Sequence, residues 1–420
     1  MKYIADLHLH SKYSRATSKQ LDIPNLEKWA RVKGLNLLGT SDFTHPEWIK
    51  EIKANLTEDD TGILRTATGM PFVMQTEVSL IYTDRDKGRR VHNVILAPDI
   101  ATAEQITEYF LSKGRVDYDG RPIFKIPCVD LTESLMEISN KIEIIPAHIW
   151  TPWFGLLGAM SHHTSVEDAF KDKVKHIHAL ETGLSSDPPM NWRLSSLDKF
   201  SLISNSDSHS FWPWRIGREA TLFDFKELTY DNLLKALRTK EGLTGTIEVD
   251  PAYGKYHWSG HRNCNVCLSP EQTKKLNGIC PKCGKPVTIG VEYRVEELAD
   301  RPEGFKLEGA PSFQRLIPVS EIISKLLGKG IATKTVWTEF DKLQKAFKTE
   351  LNISLNVPQE ELAKVVDPKI AEMIIKNREG KIEVQPGYDG EYGIPIFSDE
   401  DKKEQEEYEI QQKQASLSEF

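Results

Sequence analysis

Histidines and carboxylates recur in this chain where a β/α fold would bring strand ends together, and this pattern constrains the fold more than any other feature. Asp6-Leu-His8-Leu-His10-Ser11 follows an apolar strand start, and Ser206-Asp207-Ser208-His209 closes the series much later. Side chains two residues apart on an extended chain share a face, so His8 and His10 point the same way. Asp42 and His45 follow a second strand in Ser41-Asp-Phe-Thr-His45, and Glu77, His92 and His148 end or flank later ones. Any one of these histidines reads equally well as a satisfied polar residue. The two spaced pairs together with Glu77 do not. Donors of these types at this density suit Zn, Mn or Mg ions and a chemistry of water activation for hydrolysis.

Around these residues, short apolar runs alternate with amphipathic stretches. Residues 2–6, 36–41, 72–77, 91–96, 143–148, 177–181 and 202–206 read as strands, and 25–32 as a helix. Strands separated by helical spacers predict a barrel-like β/α domain over residues 1–250. Such barrels gather reactive groups at the C-terminal strand ends, where the candidate ligands stand. Residues 251–295 change character. Cys264-x-x-Cys267 and Cys280-x-x-Cys283, twelve residues apart, predict a tetrahedral thiolate site for one structural Zn. Lys255, Tyr256, His257, Trp258, His261, Arg262, Lys274 and Lys275 around them suit phosphate contact and base stacking, or a solvated face. Residues 296–397 predict a helical domain from apolar spacings of three and four, as in Ile322, Ile323, Leu326 and Leu327.

A chain of 420 residues holds two or three domains. Its net charge is −8, but residues 398–420 contain eight acidic against three basic side chains, so the remainder carries only about −3 and is compatible with nucleic acid. Four cysteines in one metal pattern, with Cys128 left over, predict a reducing, cytoplasmic location rather than disulfides. The first residues already carry ligands, which predicts no signal peptide, and no apolar run approaches the ~18 residues of a membrane helix. The composition suits a monomer.

In His8-Leu-His10-Ser11, Ser41-Asp42, Glu77, His148 and Asp207-Ser-His209 the chain resembles the polymerase-and-histidinol-phosphatase (PHP) family of metal-dependent phosphoesterases. The resemblance implies an α/β fold, a distorted (β/α)7 PHP barrel with a zinc-ribbon module and a C-terminal helical domain appended, and two or three catalytic divalent ions. One ion would be held by His8, His10, Glu77 and Asp207, a second by Glu77, His92 and His148, and a third by His45 and His209 with Asp42. Asp207, His209, Glu77 and His10 would carry the catalytic step. The chain departs from the family at Tyr13-Ser14-Arg15, where many members have another histidine, and at Ser41-Asp42-Phe43, with His45 two places later. Arg193, Arg215 and Arg218 would contact phosphate or form surface ion pairs. Glu181 and Asp187 would orient ligands rather than bind metal.

With the ribbon and the long loops Gly39–Pro46, Gly183–Arg193 and Pro386–Gly393, the whole chain resembles the endonuclease Q family. This implies cleavage of double-stranded DNA on the 5′ side of deaminated bases (uracil, hypoxanthine, xanthine) and abasic sites. A base must leave the stack to be read. Trp150, Trp153, Phe154, Trp192, Trp212 and Trp214 fall beside ligand-bearing strands, either to stack on DNA or to pack the core. In the charged tail, Gln414-Ala-Ser-Leu417-Ser-Glu-Phe420 resembles the motif by which repair proteins dock on a sliding clamp. The alternatives are a PHP-type phosphatase for a small phosphomonoester and a non-catalytic DNA-binding repair scaffold. The intact ligand set speaks against the second.

Overall fold

A computed structural model describes residues 1–397 and Asp401, and the motif formed by Gln414, Leu417 and Phe420 lies outside the described residues. Strand β1 (Lys2–Asp6) runs parallel to β2 (Leu37–Gly39), and β2 parallel to β3 (Pro71–Asp84). The helix Ile23–Lys33 connects β1 to β2. It begins where the Asp22 side chain accepts from the Asn25 amide, stops at Gly34 (φ 104°) and buries Ile23, Leu26 and Ala30. β3 turns straight into β4 (Lys87–Ala97), pairing antiparallel from Met74↔Ala97 to Asp84↔Lys87. The two turn residues, Arg85 and Asp86, have φ of 50° and 59°, as a tight hairpin demands, without the Asn-Gly signature that announces one.

β5 (Glu143–Pro146) pairs antiparallel with β4, while β6 (Ala179–Glu181) and β7 (Ser201–Ile203) form a separate parallel pair. β8 (Ala220–Asp224) and β9 (Leu243–Glu248) extend the sheet from the other edge of β1. The result is a mixed α/β sheet rather than a uniformly parallel one, and among the described residues the strand ladders do not run unbroken around it. Between β5 and β6 the Ile149 amide donates to the Glu181 carbonyl (3.0 Å), and between β7 and β1 the His10 amide donates to the Ser208 carbonyl (3.1 Å). The hairpin is the physical reason that the sheet is mixed: a two-residue turn between β3 and β4 cannot carry the crossover that parallel neighbours require.

The interior is nevertheless shared. Ala5, Leu37, Val73, Val94, Ile145, Ala179 and Ile203, one from each of β1 to β7, belong to a single buried cluster. The period of two then lifts ligands above it: Val73 leads through Gln75 to Glu77, Ala179 to Glu181, Ile203 through Asn205 to Asp207, and Val94 back to His92.

The hairpin Ser259–His261/Val266–Leu268 carries the first cysteine pair. Helices Val319–Leu327, Lys334–Phe347, Glu350–Leu355 and Pro368–Arg378 pack around Ile322, Phe340, Leu343, Ile353 and Ile374. This helical part docks on Ile23–Lys33, where the buried Lys33 Nζ donates to Glu350 Oε1 (2.9 Å) and the Pro213 carbonyl (2.9 Å). Among the described residues no helix is long and apolar enough to cross a membrane.

Candidate metal centre

Glu77 stands at the centre of the site. Its Oε2 lies 3.2 Å from His10 Nε2 and 3.5 Å from His8 Nε2, and Asp207 Oδ1 lies 3.0 and 3.6 Å from the same two nitrogens. Its Oε1 lies 2.8 Å from His92 Nδ1 and 3.3 Å from His148 Nε2. Two donor groups result, His8–His10–Glu77–Asp207 and Glu77–His92–His148, with ligand atoms all within 4.8 Å of one another in each. Asp207 and His148 adopt φ of 47° and 32°, unfavourable backbone at the points where a side chain must turn inward.

Two buried carboxylates orient this set from behind. Both oxygens of Glu181 lie 3.0 Å from His8 Nδ1, which therefore carries a proton; the buried His8 Nε2, without a hydrogen-bond partner, is turned to the cluster. Glu181 also accepts from the His148 amide (2.8 Å) and Asn205 Nδ2 (3.0 Å). Asp42 does the same for His10: Oδ1 lies 3.2 Å from His10 Nδ1, and Oδ2 accepts from the Ser11 amide (2.7 Å), Ser11 Oγ (2.6 Å) and Ser14 Oγ (2.9 Å). Asp42 thus orients a ligand and belongs to neither donor group.

The electrostatics match. Burial pushes His8 and His10 down, but the surrounding carboxylates outweigh it and raise both well above the ordinary range. Burial pushes Glu77 up, but His92, Arg121 and His8 hold it well below that of a free carboxylate. The same buried carboxylates that favour a proton on these rings favour a cation at Nε2, and carboxylates converging with imidazole nitrogens are the donor chemistry of divalent cations.

Among the described residues, His45, His209 and Asp42 are not gathered into a donor group of their own. His45 Nδ1 accepts from the Glu47 amide (3.3 Å), and its ring stacks on Tyr13 at 4.3 Å between centroids. The His209 ring lies 4.4 Å from that of His10, with Nδ1 3.0 Å from the Asp207 carbonyl. Tyr13, one of the departures from the family pattern, is therefore the residue that covers His45.

Sequence reasoning missed Arg121, whose Nη1 lies 3.0 Å from Glu77 Oε2. It arrives on a loop with no motif. The one trace is Gly120, where a Cβ would fall 2.2 Å from Asp42 Oδ2. Arg193 pairs with Glu296 and Asp187 with Arg315, so neither enters the centre.

A cleft of about 740 Å³ opens over the cluster. His92, His148, Asp207 and His209 line it, Arg121, Arg215, Arg218 and Lys255 give it positive charge, and Trp153, Phe154, Tyr256 and Tyr392 give it aromatic walls. In the cysteine module, His261, Cys264, Cys280 and Cys283 place ligand atoms within 4.8 Å of one another, with His261 Nδ1 3.2 Å from Cys283 Sγ. His261 joins three of the four expected cysteines in this group, and Cys267 lies on the strand Val266–Leu268 of the same hairpin, opposite Gly260. His261-x-x-Cys264 repeats the spacing of the cysteine pairs, the signal that could have found it, but overlap with Cys264-x-x-Cys267 made the complete quartet of cysteines the reading taken from the sequence.

Residues 318–381 match the family model of the MJ0043 C-terminal domain. Over 290 residues the chain is 34% identical to the uncharacterized protein MJ0043 of Methanocaldococcus jannaschii, covering 68% of this chain but 35% of that one; it spans about a third of this relative's length. The lesion-specific endonuclease PfuEndoQ from Pyrococcus furiosus is 32% identical and superposes with a TM-score of 0.85, covering 96% of this chain and 97% of that one. The chain belongs to the endonuclease Q family. An endonuclease Q in complex with a 27-mer duplex substrate, with an abasic lesion at the active site, fits equally well: 32% identity, TM-score 0.86, coverage 96% and 98%. By family the chain is a metal-dependent DNA endonuclease, and the mixed α/β fold is that of endonuclease Q.

Proposed function

We propose that this endonuclease Q hydrolyses the phosphodiester on the 5′ side of deaminated bases (uracil, hypoxanthine, xanthine) and abasic sites in double-stranded DNA. The observation that carries this reading is the Glu77-centred cluster at the floor of a basic, aromatic-walled cleft. Support comes from the relative whose active site holds an abasic lesion within a duplex. His8, His10, Glu77 and Asp207 would hold one ion, and Glu77, His92 and His148 a second. Ions there would lower the pKa of a coordinated water and neutralise the reacting phosphate. The chain's own residues hold and orient. Glu181 and Asp42 fix the His8 and His10 rings, and Arg121, Arg215 and Arg218 meet phosphate oxygens. His209, with Nδ1 turned to the Asp207 carbonyl, presents Nε2 as a proton acceptor on the cleft wall. One structural Zn would fold the cysteine module, and Gln414, Leu417 and Phe420 would dock on a sliding clamp.

The test is a nicking assay on labelled duplexes carrying one uracil, hypoxanthine, abasic site or unmodified base, with Mg, Mn or Zn, for wild type and Asp207→Asn. The expected result is a single cut immediately 5′ of each lesion, lost in the variant. Hydrolysis of a simple phosphomonoester with no cut at any lesion would replace this reading with the phosphatase.

A further inference from the structure

The chain has nine tryptophans, and eight have evident packing roles or shelter. Trp48 and Trp150 are fully buried, with Trp150 Nε1 donating to Asn191 (2.8 Å). Trp29, Trp212, Trp214 and Trp337 pack against one another where the helical domain docks, with Trp212 and Trp214 stacked. Trp192 packs edge-on against Phe313, and Trp258 Nε1 donates to Glu292. Among the described residues Trp153 alone is exposed, at 37%, and it lines the cleft above the metal centre.

Its position is built, not incidental. The next residue, Phe154, stacks on the ligand His92 (4.3 Å between centroids), and its carbonyl accepts from the His92 amide (3.0 Å). The loop beyond is pinned by backbone bonds from Gly155 to Thr151 (2.8 Å) and from Leu157 to Ile149 (2.7 Å), and by Arg294 Nε donating to the Leu157 carbonyl (3.0 Å). A Cβ on Gly155 or Gly158 would fall 2.5 or 2.1 Å from the Thr151 backbone, so this compact turn requires glycine at both positions. Tyr392, from a distant segment, lines the same cleft with its ring 45% exposed and the Lys255 ammonium 4.6 Å from its centroid. A large apolar ring held rigidly in water at the mouth of a charged cleft is placed to receive a flat ligand rather than to pack.

Resting on the activity proposed above, we propose that Trp153 stacks on the face of the nucleobase extruded into the cleft. Stacking is indifferent to base identity because every base has a π-face. It therefore supports any lesion that carries a base, while the cost of extrusion selects damaged over paired positions.

The proposal is tested by measuring kcat/KM on duplexes with a single uracil or a single abasic site, for wild type, Trp153→Ala and Trp153→Phe. The alanine variant should lose about 10- to 100-fold on uracil. Its loss on the abasic duplex, which offers no base to stack on, should be at least about tenfold smaller, and phenylalanine should restore most of the uracil activity. Equal losses on the two substrates, or none, would overturn the stacking role. Tryptophan emission during titration with the uracil duplex in chelator decides the same point without turnover. Wild type should show a change that Trp153→Phe lacks, and identical changes would refute the proposal. A wild type that nicks neither duplex would instead sink the proposed activity, with the emission result still standing.

Discussion

Glu181 touches no position proposed for metal, yet its charge should govern metal affinity. Its two oxygens receive His8 Nδ1, the His148 amide and Asn205 Nδ2, all at 2.8–3.0 Å, and all from donors. In Glu181→Gln one oxygen becomes an NH2. In the Oε2 place it opposes the His148 amide, in the Oε1 place it opposes Asn205 Nδ2, and in both it opposes the His8 Nδ1 proton, which it would drive to Nε2, the nitrogen a cation needs. Either arrangement leaves a buried donor unsatisfied, costing about 1–3 kcal/mol. Loss of a group that orients a ligand from behind lowers metal affinity or activity about 10- to 100-fold, and the two figures agree at 1.4 kcal/mol per factor of ten. The assay is the metal concentration giving half-maximal nicking of an abasic duplex, with bound metal counted in parallel. Glu181→Gln should shift the midpoint up about 10- to 100-fold, with activity recovering in excess metal and an unchanged circular-dichroism spectrum. A midpoint equal to wild type would refute the argument that Glu181 sets the His8 tautomer.

Three further outcomes follow from the same contacts. Gly183 has φ +61°, and a Cβ there would fall 2.6 Å from His148 Cβ. Gly183→Ala should therefore add about 1–2 kcal/mol of backbone strain and lower nicking by more than the stability loss explains, as activity and denaturation curves measured together would show. Lys33 and Glu350 are paired at 2.9 Å and almost wholly buried. Glu350→Gln should cost about 3–5 kcal/mol in denaturant unfolding because it strands the Lys33 ammonium, and Lys33→Met in the same chain should recover part of that. Burial, together with Asp187, pushes the Glu248 carboxyl up from 4.5 to about 8. The folded state keeps that proton while the unfolded state releases it, so stability should fall as pH rises from about 4.5 to 8 and level off above. Glu248→Gln should flatten that slope in Tm against pH.

The donors were legible because strand periodicity is local. His8 with His10, and Asp207 with its neighbours, announce themselves by spacing, and Glu77 as a carboxylate within an apolar run, although it stands in the middle of β3 rather than at the strand end expected. What those donors do was less legible. Asp42 reads as a ligand because a carboxylate after a strand is common to ligands and to groups that orient them; only its bonds to Ser11, Ser14 and His10 separate the two roles. His45 reads as a third-site ligand until Tyr13 is seen stacked on it. Arg121 was invisible because a loop of no distinctive composition delivers it. In the fold, the strands were readable and the sheet was not. The turn at Arg85-Asp86 makes β3 and β4 antiparallel without turn residues that say so. Among the tryptophans, periodicity could not separate Trp153 from Trp150, three residues away and fully buried.

The central claim is that two ions held around Glu77 cut DNA at a lesion. It is tested most directly by stripping the protein of metal and returning Mn in measured equivalents while following nicking of an abasic duplex and counting tightly bound metal at the centre. Nicking should appear as the second equivalent binds. His92→Ala combined with His148→Ala should retain one equivalent and not nick. Full nicking by that double variant, or by wild type in excess chelator, would contradict the claim.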